Sequence, residues 1–142
     1  MNNPAPSLAY NLRVALGRLV RRTRAVEPSG GATWSQFSIL SRLERDGGAT
    51  AARLAVEEGV RPQSMSATLD ALQAEALIRR DADPTDRRKI IVAITERGRQ
   101  LLLAKRASRE QWLTKVIAAR LSREEQDVLK EAVRLLERLA ED

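Results

Sequence analysis

The hydrophobic pattern of this chain changes period at one place. After four segments with helical spacing, residues 77–94 read as two short apolar-rich strands, LIRRD and KIIVAI, around the polar loop ADPTDRR. The β-branched run Ile90, Ile91, Val92 favours an extended backbone, and the Pro and Asp residues between the runs favour a hairpin turn. A single hairpin inside an otherwise helical chain predicts a mainly α fold with a small β-hairpin, an α+β arrangement.

The helices around it follow from stripes and stop signals. Pro4 and Pro6 mark a loose tail. Ser7 is expected to cap a helix to about Val26, with Leu8, Leu12, Ala15, Leu16, Leu19 and Val20 on one face and Arg13, Arg18, Arg21, Arg22 and Arg24 on the other. EPSGGAT breaks that helix. Thr33 or Ser35 starts a second helix containing Phe37, Ile39, Leu40 and Leu43, which ends at Asp46-Gly47-Gly48. Thr50 opens a third, AARLAVEEG, stopped by Gly59. Pro62 suits the first position of a fourth, which is expected to align Met65, Leu69, Leu72 and Ala76. Thr95-Glu96 begins a fifth helix to about Ala119, interrupted early at Gly98. Ser122 and Glu125 have capping-box spacing for a sixth, with Val128, Leu129, Ala132, Leu135, Leu136 and Leu139 expected inward.

Three helices followed by a hairpin is the order of a winged helix-turn-helix, here spanning about 33–94 within a single domain of residues 1–142. The flanking helices, about 7–26 and 95–140, carry apolar stripes that a domain this small cannot cover alone. They are expected to dimerise, most simply with a second copy of the chain.

Composition narrows the function. The formal net charge is +6, and 21 of the 25 basic residues are Arg. A basic balance attracts polyanions, although codon usage in a GC-rich genome explains the arginine bias more readily than phosphate recognition does. The chain has no Cys and no His, so disulfides, thiolate sensing, zinc-cysteine sites and imidazole catalysis are excluded. No paired acid, phosphate-cradling loop or nucleophile constellation appears, so no catalytic residue, cofactor or metal is expected. No apolar run nears the roughly 20 residues needed to span a bilayer. The first residues lack the pattern of a secretory signal, so a cytoplasmic protein without a membrane partner is expected.

The segment from Ala52 to Leu102 resembles the core of the MarR family of bacterial regulators. Asp86-Arg87-Arg88 matches that family's D-x-R wing motif, and Thr95-Glu96-Arg97-Gly98 resembles the T-x-x-G that follows it. WSQFSILSRL resembles the family's second helix. Ala76 stands where relatives usually have Gly, and Ala67 where many carry Arg. The likeness is specific in motif over about 33–103 and extends over nearly the whole chain in element order. It implies double-stranded DNA as partner, a homodimer, and Arg88 as the residue inserted in the minor groove, with Asp86 holding Arg88 or the loop.

The candidate DNA-binding residues are Arg61, Gln63, Ser64, Ser66, Thr68, Asp86, Arg87 and Arg88. A helix fits the major groove, where Gln63 can bond adenine at two points. Short polar residues in a first helical turn suit phosphates. Asp70 is expected to be solvated and away from phosphate. Arg87 is expected to touch phosphate, and a narrow A·T-rich minor groove favours an inserted Arg. A charged hairpin tip that merely stays solvated is the alternative for the wing. The aromatics Tyr10, Trp34, Phe37 and Trp112 are read first as core, second as lining for an aromatic or phenolic effector. The expected function is a ligand-responsive repressor acting as a homodimer on a pseudo-palindromic operator. The rival is a winged-helix protein-interaction module that binds no DNA.

Overall fold

The structure is a computed structural model that describes residues 4–26 and 33–141. The tail before Pro4, and the EPSGGAT break except Thr33, lie outside the described residues.

The described residues form six helices and one hairpin, in the chain order α1 (Ala5–Ala25), α2 (Trp34–Asp46), α3 (Ala51–Glu58), α4 (Pro62–Ala74), β1 (Ile78–Ala82), β2 (Ile90–Ile94), α5 (Glu96–Arg120) and α6 (Arg123–Ala140). The element order is the one expected. α1 corrects the expected cap, because Pro4 rather than Ser7 occupies the N-cap position and Pro6 lies in the first turn. Proline has no N–H to leave unsatisfied there. Ser7 is already helical and its hydroxyl donates to the Pro4 carbonyl at 3.0 Å.

Three of the other starts are built by side-chain caps. The Gln36 N–H donates to Thr33 Oγ1 at 3.3 Å while Gln36 Oε1 accepts from the Thr33 N–H at 2.8 Å, which identifies Thr33 as the N-cap. Thr50 Oγ1 accepts from the Arg53 N–H, and Ser122 and Glu125 form the second capping box. Each cap satisfies amides that have no partner within the helix. Gly59 ends α3 in the left-handed region at φ 64°.

The chain divides into two compact units, Pro28–Arg106 and Met1–Glu27 with Ala107–Asp142. The first holds the core, in which Leu40, Leu54, Leu69, Leu72, Val92 and Leu102 are almost fully buried. Leu102 lies in α5, so the start of that helix packs with the winged elements beyond residue 94. Gly98 does not interrupt α5, which runs unbroken from Glu96. A Cβ at Gly98 would overlap the Leu77 carbonyl oxygen and sit 2.7 Å from Ile94 Cγ1. The glycine is there for close approach to Leu77, just before β1, and to Ile94 of β2, and not for a break.

Ala76 does not extend the buried stripe of α4. The helix ends at Ala74, and Ala76 is exposed with φ 58°, the left-handed conformation that usually takes glycine. β1 and β2 pair antiparallel with Ile78 opposite Ile94 and Ala82 opposite Ile90. The pairing begins one residue later in each strand than the apolar runs indicate. A further bridge joins Ala49 to Val92, with N–H···O bonds of 3.0 and 2.8 Å.

In the second unit, α1 and α6 contain no buried residue among those described. Val128, Leu135 and Leu139, expected inward, are exposed in the single chain, as are Leu8, Leu16 and Leu19 of α1. The stripes exist, and this chain alone does not cover them.

Candidate nucleic-acid interface

Helix α4 buries Met65, Leu69 and Leu72 against the winged core, which fixes the direction of its remaining side chains. Gln63, Ser64, Ser66, Ala67 and Asp70 are exposed. Arg61 is the N-cap residue, with extended backbone and no side-chain cap bond, so its exposed guanidinium stands at the helix start. The candidates separate into two sides. Gln63 and Ser66 sit with Ala67 and Asp70 on the outward side. Ser64 and Thr68 border an open cleft of about 270 Å³, which they share with Trp34, Ser35, Ile39 and Glu58. The Thr68 hydroxyl donates to the Ser64 carbonyl at 2.9 Å, so its proton is engaged within the helix.

Glu58, on the wall of that cleft, is already bonded. It accepts from the Ser38 hydroxyl and from Arg42 Nε, each at 2.9 Å. Of the aromatics, only Phe37 is core; Trp34 stacks on it with ring centres 6.3 Å apart and remains half exposed. Tyr10 is exposed beneath the Arg13 guanidinium, and the half-buried Trp112 carries Arg22 over its ring at 5.8 Å. Core packing therefore does not explain Trp34 or Tyr10.

The wing loop is ordered by its acids. Asp83 Oδ1 accepts from both the amide and the hydroxyl of Thr85 at 2.8 Å. Those bonds, the amide first, hold the Asp83 carboxyl below the usual aspartate range. Asp86 Oδ1 accepts from the Arg88 amide at 3.1 Å, and the Asp86 carbonyl accepts from the Lys89 amide at 3.0 Å. Asp86 thus holds the loop backbone rather than a guanidinium. Arg87 and Arg88 are exposed, and neither forms an ion pair among the described residues.

The other wing arginines differ. Arg79 pairs with Asp81 at 2.9 Å, and Arg80 reaches back to Asp70 of α4 at 2.8 Å. Asp70 is exposed but bonded, not simply solvated. This contact joins β1 to the outward side of α4. The sequence reading missed it because the partners lie on different elements; the available signal was that Asp70 is the one charged residue of a helix ahead of an arginine-rich strand.

A family model, the MarR family, matches residues 32–90. The chain is 36% identical over 135 residues to an HTH-type transcriptional regulator of Mycobacterium tuberculosis, covering 95% of this chain and 94% of that one. A solved structure of a regulator protein from Pseudomonas aeruginosa is similar over 100% of this chain and 99% of its own, at 34% identity and a TM-score of 0.87. BpsR of Bordetella bronchiseptica, whose DNA binding is regulated by 6-hydroxynicotinic acid, shares the fold with a TM-score of 0.64 and 24% identity, over 95% of this chain and 99% of that one.

Proposed function

The chain belongs to the MarR family of transcriptional regulators, and on that premise we propose that it acts in the cytoplasm as a homodimeric, ligand-responsive repressor of a pseudo-palindromic operator. The observation that carries this reading is the wing. Its loop is braced by Asp83 and Asp86 while Arg87 and Arg88 keep unpaired guanidiniums among the described residues. A tip kept only for solubility has no need of a loop fixed by so many of its own hydrogen bonds.

In this reading α4 enters the major groove, with Gln63 and Ser66 toward base edges. Arg61 and Ser64 serve the flanking phosphates, and Thr68 joins them by turning its hydroxyl away from the Ser64 carbonyl. Arg88 enters the adjacent minor groove, where narrow A·T-rich sequence concentrates negative potential, and Arg87 meets phosphate. Two copies joined through α1 and α6 would present two α4 helices about 34 Å apart, one turn of DNA. The uncovered apolar residues of those helices support the dimer.

An aromatic or phenolic effector is the proposed inducer, supported by the ligand named for BpsR. It needs only a different affinity for the two arrangements of the dimer to release DNA.

The test is a titration of the protein against duplex DNA at several salt concentrations. Phosphate neutralisation gives a log–log slope near −0.9 per phosphate contacted. Affinity indifferent to salt would favour the rival reading, a winged module that binds protein.

A further inference from the structure

Helix α4 contains no Lys or Arg, and its single charge is the carboxylate of Asp70. At roughly 100° per residue, Gln63, Ala67, Asp70 and Ala74 form one exposed stripe opposite the buried Met65, Leu69 and Leu72. Alanines three residues before and four after leave the Asp70 carboxylate projecting from that stripe. A bare carboxylate facing a polyanion is repelled. Here Oδ1 accepts from Arg80 Nη1 at 2.8 Å, and no donor among the described residues bonds Oδ2. The side chains are 69% and 27% exposed respectively. An exposed pair of this kind adds little to stability, so stability does not account for it.

What the pair does is cancel the charge while leaving one carboxylate oxygen as an outward acceptor. In the major groove the matching donor is the N4 amino group of cytosine. Guanine O6 and thymine O4 are acceptors, and the adenine N6 donor is flanked by the N7 acceptor. We propose that Asp70 reads a cytosine through its N4 amino group and that Arg80 is the positioning residue that orients and neutralises it. This rests on the reading that α4 occupies the major groove.

The experiment is selection from a randomised duplex library by the full-length protein and its variants. The wild type should enrich cytosine at one position of each half-site. Asp70→Asn should change that preference to adenine, since an amide bonds N6 and N7 together. Asp70→Ala should lower discrimination there roughly tenfold. Arg80→Gln should weaken binding to every sequence, because the carboxylate is left bare, and should also lower the cytosine preference, because Asp70 is no longer oriented. Preferences unchanged in both Asp70 variants would overturn the proposal, and so would loss of all binding by Asp70→Asn at an unchanged melting temperature. A wild type that enriches no duplex would instead overturn the DNA-binding reading beneath it.

Discussion

The Thr95 hydroxyl donates to the Ala76 carbonyl at 2.6 Å while accepting from the Gly98 N–H at 3.1 Å. The Thr95 amide adds a 3.0 Å bond to the Leu77 carbonyl. One residue therefore ties the turn leaving α4 to the first turn of α5.

Replacing Thr95 by Val removes the hydroxyl and leaves the buried Gly98 amide without its side-chain acceptor. The expected loss is about 1–3 kcal/mol of unfolding free energy. Thr95→Ser keeps the oxygen and should restore most of it. Urea denaturation of the three proteins decides this, and equal midpoints for Val and Thr would show the bonds to be dispensable.

Ala76 carries the opposite expectation. At φ 58° its Cβ crowds the backbone, a conformation that costs a non-glycine residue roughly 1–2 kcal/mol. Glycine relieves the strain but adds freedom to the unfolded chain. The balance predicts that Ala76→Gly raises stability by about 0.5–1 kcal/mol, read as a higher melting temperature.

Local signals were legible in the sequence except at Ser7, where Pro4 takes the N-cap position, and tertiary ones were not. Thr33, Thr50, Ser122 and Glu125 start helices through partners within one turn, and Pro62 through its own fixed φ, so local sequence sufficed. Ala76 misled because 65, 69, 72, 76 continues a helical period, whereas the φ that ends α4 depends on the turn into β1. The Ala49–Val92 bridge is a single residue long, too short to show any period. The division of Ser64 and Thr68 from Gln63 and Ser66 depends on which side of α4 faces α2 and α3. The Asp70–Arg80 pair spans ten positions and two elements, beyond the reach of spacing rules.

Acid should loosen the wing loop at Asp83. Its carboxyl titrates below the usual range because its ionised form accepts the two Thr85 bonds. A depressed carboxylate contributes stability that is present above its ordinary value near 4 and disappears as pH falls through the lower folded value. The Thr85 amide should therefore be protected at about pH 5, relative to its intrinsic exchange rate, and lose that protection as pH falls below about 4. Asp83→Asn should flatten that response. A wild-type Thr85 rate with no acid inflection beyond the intrinsic one would contradict it.

The apolar residues of α6 give a separate test of the proposed dimer. Val128 and Leu139 are 70% and 74% exposed in the single chain, so a purely surface role makes Asp substitutions nearly silent for folding. At a subunit interface the same changes bury charge and should weaken association by roughly 2 kcal/mol or more. Sedimentation of Val128→Asp/Leu139→Asp should show monomer where the wild type shows dimer. An unchanged sedimentation profile would remove α6 from the interface.

The wing provides the sharpest separation of roles. Arg88 and Arg87 are neighbours with the same charge, so simple phosphate attraction predicts that either Ala substitution lowers affinity equally on every sequence. Minor-groove insertion predicts otherwise, because the groove narrows and its potential deepens in A·T-rich DNA. Arg88→Ala should cost about 1–3 kcal/mol on operators with A·T-rich flanks and less on G·C-rich ones. Arg87→Ala should lower affinity by the same factor on both and reduce the salt slope by about one phosphate. The Asp86 bond to the Arg88 amide adds a control, since Asp86→Ala frees the loop but leaves both guanidiniums. If Arg88 works by being held at the groove, Asp86→Ala should reproduce part of the Arg88→Ala flank dependence with the salt slope intact. Equal losses on both flanks for all three variants would reduce the wing to a phosphate contact.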